Sequence, residues 1–252
     1  MNNKLARLVL ILVLPTLSYA ATQATILRYR FSTGPNGAPV ATAVDSGPFG
    51  FNGTVTGDLT YSSDVAQGGK PFSLNATADV DYIVLPQTAA NAPYLNQSKN
   101  FTLSAFAMPT GGTNTDAAGD VIAAKIFSNG SGPCLTTYAL FYASSLHKFV
   151  GGVCGPNETP EFVSSADTFP TGFWYKLALK YKTSVDGKTT TISLVVNGKV
   201  EGKLVLKNFA GPITGVAGFQ VGAANFENSD KGQFRRNFIG FIDEVKLTGT
   251  LP

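Results

Sequence analysis

Phe238-Ile239-Gly240-Phe241-Ile242-Asp243-Glu244-Val245-Lys246-Leu247, near the end of the 252-residue chain, is the stretch whose reading decides the fold. Its apolar and β-branched run reads as a buried strand. Two adjacent acids, Asp243 and Glu244, sit inside it. Neighbours on a strand point to opposite faces, so at most one of the pair faces the core. A buried carboxylate needs a partner, either an ion or a set of hydrogen-bond donors.

Working outward, strand signals recur roughly every eight to fifteen residues, and no helical period lasts beyond a turn. Strands are predicted near residues 25–31, 53–61, 70–75, 79–85, 100–108, 120–127, 173–181, 189–206, 216–221 and 237–247. Within 189–206, Ile192, Leu194 and Val196 share one face, and Asn197-Gly198 is a hairpin turn pair. About a dozen strands in this length predict an all-β fold, two antiparallel sheets packed face to face as a jelly-roll sandwich. Trp174 is expected in its core.

Residues 1–20 read as a signal peptide: Lys4 and Arg7 precede an apolar run at 8–17, and Ser18-Tyr19-Ala20 supplies the small residues of a cleavage site. That run is too short to span a membrane, and residues 21–252 then form one secreted domain. The formal charge of +3 falls to about +1 without Lys4 and Arg7, so nothing in the balance argues for nucleic acid. Cys134 and Cys154 are the two cysteines. The residues between them read as a hairpin turning at 143–146, which sets the pair across its ends and predicts a disulfide, not a redox or zinc site. Asn52, Asn75, Asn96, Asn100, Asn129 and Asn157 head Asn-x-Ser/Thr sequons, so the chain reads as a glycoprotein.

Several runs, in order, resemble the laminin-G-like, concanavalin A-like family. They are Leu27-Arg28-Tyr29-Arg30-Phe31, Asp45-Ser46-Gly47 with Asn52-Gly53-Thr54, Asp81-Tyr82-Ile83-Val84-Leu85-Pro86 and Phe101-Thr102-Leu103-Ser104-Ala105-Phe106. Trp174-Tyr175-Lys176-Leu177-Ala178, Val196-Asn197-Gly198-Lys199 and Gly240-Phe241-Ile242-Asp243-Glu244-Val245 complete the series. The resemblance implies the same jelly roll. It also implies a calcium ion stapling the Asp45 loop to the closing strand through Asp45, Asn52 and Asp243. Against the ion stands a carboxylate satisfied by backbone N–H groups alone. Pro48-Phe49 departs from the family's polar loop.

For chemistry the sequence is poor. Laminarinase-type relatives of the superfamily carry a Glu-x-Asp-x-x-Glu run that is missing here, and Asp243 with Glu244 cannot flank one sugar bond from opposite faces. Asp79 and Asp81 share a face but read as turn and strand-start acids. His147, the sole histidine, reads as a solvated turn residue, so serine, cysteine and histidine-zinc sites find no constellation. Sugar-binding candidates are Tyr138 and Tyr142 on one hairpin face, with Phe226 and Arg235 in the loop 225–237; the tyrosines also suit the core. The reading is a secreted, non-catalytic glycan-binding module, with an adhesion protein that binds an extracellular protein as the alternative and a polysaccharide-active enzyme behind both.

Overall fold

Apolar and polar side chains alternate along most of the chain. In the computed structural model, which describes residues 23–32, 34–66, 73–77, 81–112, 119–127, 134–226 and 234–252, that pattern folds into eighteen strands. They run β1 Gln23–Tyr29, β2 Thr42–Ala43, β3 Gly53–Thr56, β4 Thr60–Ser62, β5 Ser73–Ala76, β6 Tyr82–Leu85 and β7 Phe101–Pro109. Then come β8 Asp120–Ile126, β9 Thr136–Ala143, β10 Lys148–Cys154, β11 Pro160–Ser164, β12 Tyr175–Thr183, β13 Thr189–Val196 and β14 Lys199–Lys207. β15 Phe219–Val221, β16 Ala223–Phe226, β17 Phe234–Asn237 and β18 Gly240–Thr250 finish the set. The expected dozen is exceeded because β2, β4 and β15 have two or three residues each, too few for a period to show in sequence. The expected signal peptide, Asp79 and Asn129 lie outside the described residues.

The strands form two sheets, as expected of the jelly-roll sandwich. One has the order β14-β13-β12-β7-β18-β5-β4, with β1 also on β18; the other runs β11-β10-β9-β8-β15-β6-β3-β2, with β16 and β17 beside it. The core between them takes Leu103, Leu177, Leu179, Ile192, Leu194 and Leu247 from the first sheet. The second contributes Ile83, Tyr138, Leu140, Phe149 and Phe219. Each large side chain so buried stabilises the fold by about 1.5–3 kcal/mol. A second apolar cluster, including Val121, Ala139, Phe141, Ala143 and Val150, occupies the other face of the second sheet. Every residue of β9 is therefore buried, and that face does not offer an open surface at its centre. By contrast β12 buries Tyr175, Leu177, Leu179 and Tyr181 while exposing Lys176, Lys180 and Lys182. The outer face of the first sheet is open.

Ile242 and Val245 both reach the core although they are three residues apart. A regular strand forbids this, and β18 resolves it with a bulge between Asp243 and Lys246. Glu244 takes the left-handed conformation there, φ +50°, and its N–H donates to Asp243 Oδ1 at 2.7 Å. The Asn197-Gly198 turn behaves as read, with φ +50° and +85°. The cysteine hairpin differs in register: Val153 faces Tyr138 and Lys148 faces Ala143. Its turn, at Ser144–Leu146 and the left-handed His147, lies slightly later than expected. Cys134 therefore sits beyond the end of β9, yet still bonds Cys154 across a Cα–Cα distance of 5.9 Å.

Lys125 is fully buried, and its ammonium donates to the carbonyls of Ile126 and Ala217. Burial pushes its pKa down from 10.5 to about 7. The unfolded chain thus binds a proton that the fold resists between those values, so this group's contribution is full above pH 10.5 and is lost as pH falls to about 7. From pH 7 to about 9.5, below the range in which tyrosines titrate, stability should rise with pH, and Lys125→Met should remove that rise. Urea melts at stepped pH test this, and parallel curves for the two proteins would refute it. Replacing both cysteines with serine should cost about 3 kcal/mol and lower Tm by roughly 6–12 °C, measured by calorimetry.

Candidate functional site

The expected calcium residues are held differently from a metal cage. Asp45 Oδ1 accepts the N–H groups of Arg28 at 2.8 Å and Gly47 at 2.7 Å, and Oδ2 accepts that of Phe51 at 2.9 Å. Asn52 Oδ1 accepts the Asp45 N–H at 2.9 Å. Asp45 pairs with Tyr29 of β1, so β1 stands between this loop and β18. The loop reaches the closing strand through Arg28, whose backbone binds Asp45 and Ser46 and whose guanidinium donates twice to Glu244 Oε2. N–H groups aimed at both Asp45 oxygens satisfy that carboxylate from the backbone. Among the described residues no three His, Cys, Asp or Glu side chains gather as a metal site.

Other acids serve the backbone too. Asp81, fully buried, accepts Asp58 N–H at 2.8 Å through Oδ1 and Thr77 N–H at 3.1 Å through Oδ2. At the disulfide hairpin, Tyr142 O–H donates to the Phe169 carbonyl at 2.9 Å, with His147 Nδ1 3.0 Å away. Burial, with Tyr175 adding to it, pushes the Tyr142 pKa up to about 12, which suits a hydroxyl that keeps its proton.

Tyr138 and Tyr142, offered by the sequence as sugar platforms, are both buried in the core; Tyr138 O–H donates to the Leu95 carbonyl at 2.7 Å. This corrects the platform reading, because β9 turns their face towards the opposing sheet. The side chains of Phe226 and Arg235 lie outside those described. Of the described sequons, Asn157 is exposed in a turn, and Asn52 is exposed with its carbonyl held by the loop. Asn96 and Asn100 accept the N–H groups of Gly215 and Thr183, and Asn75 lies opposite Phe241 on β5.

What the structure brings together instead is a group of rings on the open sheet. Trp174, expected in the core, is half-buried at the surface: its ring lies 6.4 Å from that of Phe241, and its Nε1–H donates to Asp64 Oδ1 at 3.1 Å. Phe173 beside it is 61 % exposed. Phe106 is half-buried one row along, opposite both Asp243 and Lys176, with the Lys176 ammonium 5.8 Å from its ring centre. The signal for this group was local. Trp174 shares the parity of Lys176, Lys180 and Lys182, not that of Tyr175, Leu177, Leu179 and Tyr181.

A separate groove of about 620 Å³, lined by Ser98, Asn100, Thr183, Val185 and Phe209, opens at the far end of β7 and β12. No described helix is long and apolar enough to cross a membrane.

Residues 75–250 match the family described as the concanavalin A-like lectin/glucanases superfamily. No curated protein sequence matches the chain. Among solved structures, the binding domain of botulinum neurotoxin DC in complex with SialylT superposes with a TM-score of 0.58 at 12 % identity. The same binding domain in complex with rat synaptotagmin II also gives 0.58 and 12 %, and that of serotype C1 gives 0.57 at 14 %. Each superposition covers 91 % of this chain and 49 % of the other, so the chain spans about half the length of these relatives. At such identity the likeness is one of fold.

Asp45→Ala leaves the Arg28, Gly47 and Phe51 N–H groups without their acceptor, and should cost about 2–4 kcal/mol in urea unfolding. The melting temperature should be the same in excess calcium and in chelator. A rise with calcium that Asp45→Ala abolishes would restore the ion.

Proposed function

The chain belongs to the concanavalin A-like lectin/glucanases superfamily, and on that premise we propose that it is a secreted, non-catalytic carbohydrate-binding module whose sugar platform is Trp174, Phe241 and Phe106. The observation that carries the reading is the placing of these rings on the open face of the first sheet, beside the polar groups of Asp64, Lys176 and Asn75. Aromatic faces stack on the apolar faces of sugars, and adjoining donors and acceptors set orientation. Secretion is supported by the leader-like start and by the Cys134–Cys154 bond. Binding without cleavage is supported by the use of the acids, since Asp45, Asp81 and Glu244 hold backbone or arginine groups and none is paired across a cleft.

A glycan array on the protein without residues 1–20 tests the proposal. A shallow platform with few hydrogen bonds gives Kd values from micromolar to millimolar, about −8 to −4 kcal/mol. Trp174→Ala should weaken binding about tenfold and leave the fold intact by circular dichroism. Unchanged binding in that variant would move the site elsewhere. Capture of one protein partner with no glycan bound would favour the adhesion reading, and release of reducing or unsaturated sugar would make the chain an enzyme.

A further inference from the structure

The open face that carries the rings also carries a segregation of charge. Without Lys4 and Arg7 the chain is close to neutral, at about +1. Yet strand register lines up cations from distant parts of the sequence on this one face. Lys203 of β14 faces Ser193 of β13, which faces Lys180 of β12, which faces Thr102 of β7 and then Thr248 of β18. One row on, Lys182 faces Thr191. On the other side, Ala178 faces Ser104, then Lys246, then Arg28 of β1. Lys180, Lys182 and Lys203 are exposed, and Lys246 and Arg28 partly so. Of the acids in the β18 bulge, Asp243 is fully buried and Glu244 is already bonded to Arg28.

We infer that this face binds an acidic polysaccharide, one bearing carboxylate or sulfate groups along an extended chain. The inference rests on the carbohydrate-binding reading and names the class of glycan it takes. Cations two residues apart on a strand stand about 7 Å apart, and those two strands apart stand about 10 Å apart. These separations are comparable to the screening length in physiological salt, so the charges act together on a polymer laid over them. Between them stand the hydroxyls of Thr102, Ser104, Thr191, Ser193 and Thr248, which exchange hydrogen bonds with sugar hydroxyls. The rings lie at one end of the face, next to Lys176, where a single sugar can stack. Nucleic acid fits less well, because the lysine rows hold no ring on which successive bases could stack. A membrane fits less well because the centre of the face is hydroxyl-bearing, with its exposed apolar groups at the margins, the rings at one end and valines such as Val205 on the edge strand β14.

The test uses the protein without residues 1–20, polygalacturonate and heparin as acidic probes, neutral mannan, duplex DNA and phosphatidylserine vesicles. Binding to both acidic probes should be at least tenfold tighter than to mannan at about 50 mM salt, and should fall at least tenfold by about 300 mM. The triple variant Lys180→Gln, Lys203→Gln, Lys246→Gln should lose at least tenfold for the acidic probes while keeping its melting temperature and any binding to mannan. Equal affinity for mannan and the acidic probes, or an unaffected triple variant, overturns the inference. So does DNA or vesicle binding as tight as that of polygalacturonate. Trp174→Ala separates the two proposals. Lysine-dependent acidic binding that Trp174→Ala leaves untouched sinks the ring platform alone; neutral-sugar binding that needs Trp174, with no gain from acidity, sinks the charge inference alone.

Discussion

The bulge at Asp243 and Glu244 is the constraint on which the rest of this structure depends. β18 is the strand that pairs with β1, β5 and β7. Ile242, Val245 and Leu247 must all face the opposing sheet, and their spacing is incompatible with strict alternation. One left-handed residue, Glu244, absorbs the mismatch. A non-glycine residue in that conformation costs of order 1–3 kcal/mol and persists only when its surroundings hold it. Here they do so from two sides, through the Asp243 carboxylate on its N–H and the Arg28 guanidinium on its side chain.

Arg28 carries the constraint further. Its side chain binds the bulge while its backbone binds the Asp45 loop, so one residue of β1 joins the first loop to the closing strand. Asp45, with backbone donors on both oxygens, fixes the loop from within. The bulge also sets which side chains reach the open face: Phe241 points outward before it, and Lys246 and Thr248 after it. Without the bulge, strict alternation from Ile242 would turn Lys246 into the core and Val245 out of it. Phe241 and Lys246 share a face because of that single irregularity, and so join the rings and lysines of the neighbouring strands.

Much was legible in the amino-acid pattern. The Thr189–Val196 and Lys199–Lys207 hairpin and the cysteine pair follow from alternation, turn chemistry and compartment, which are properties of neighbours in sequence. The errors were equally physical. Tyr138 and Tyr142 were legible as sharing a face, but sequence does not say that β9 is buried on both faces by packing on either side. Trp174 looked like core because large rings usually are. Its parity with the lysines of β12 spoke against this and carried more information than its size.

The sequence by itself determined the period of the strands, their turns and the two-layer architecture, because those depend on residues within a few positions of one another. Only the tertiary structure decided which carboxylates are bound by backbone and which face of which sheet is open. It also decided where the charge gathers. Lys180, Lys203 and Lys246 come from three separate strands, and a nearly neutral composition gives no hint of their convergence. Convergence of that kind is a consequence of strand order and register, which long-range hydrogen bonding and the packing of two sheets select together.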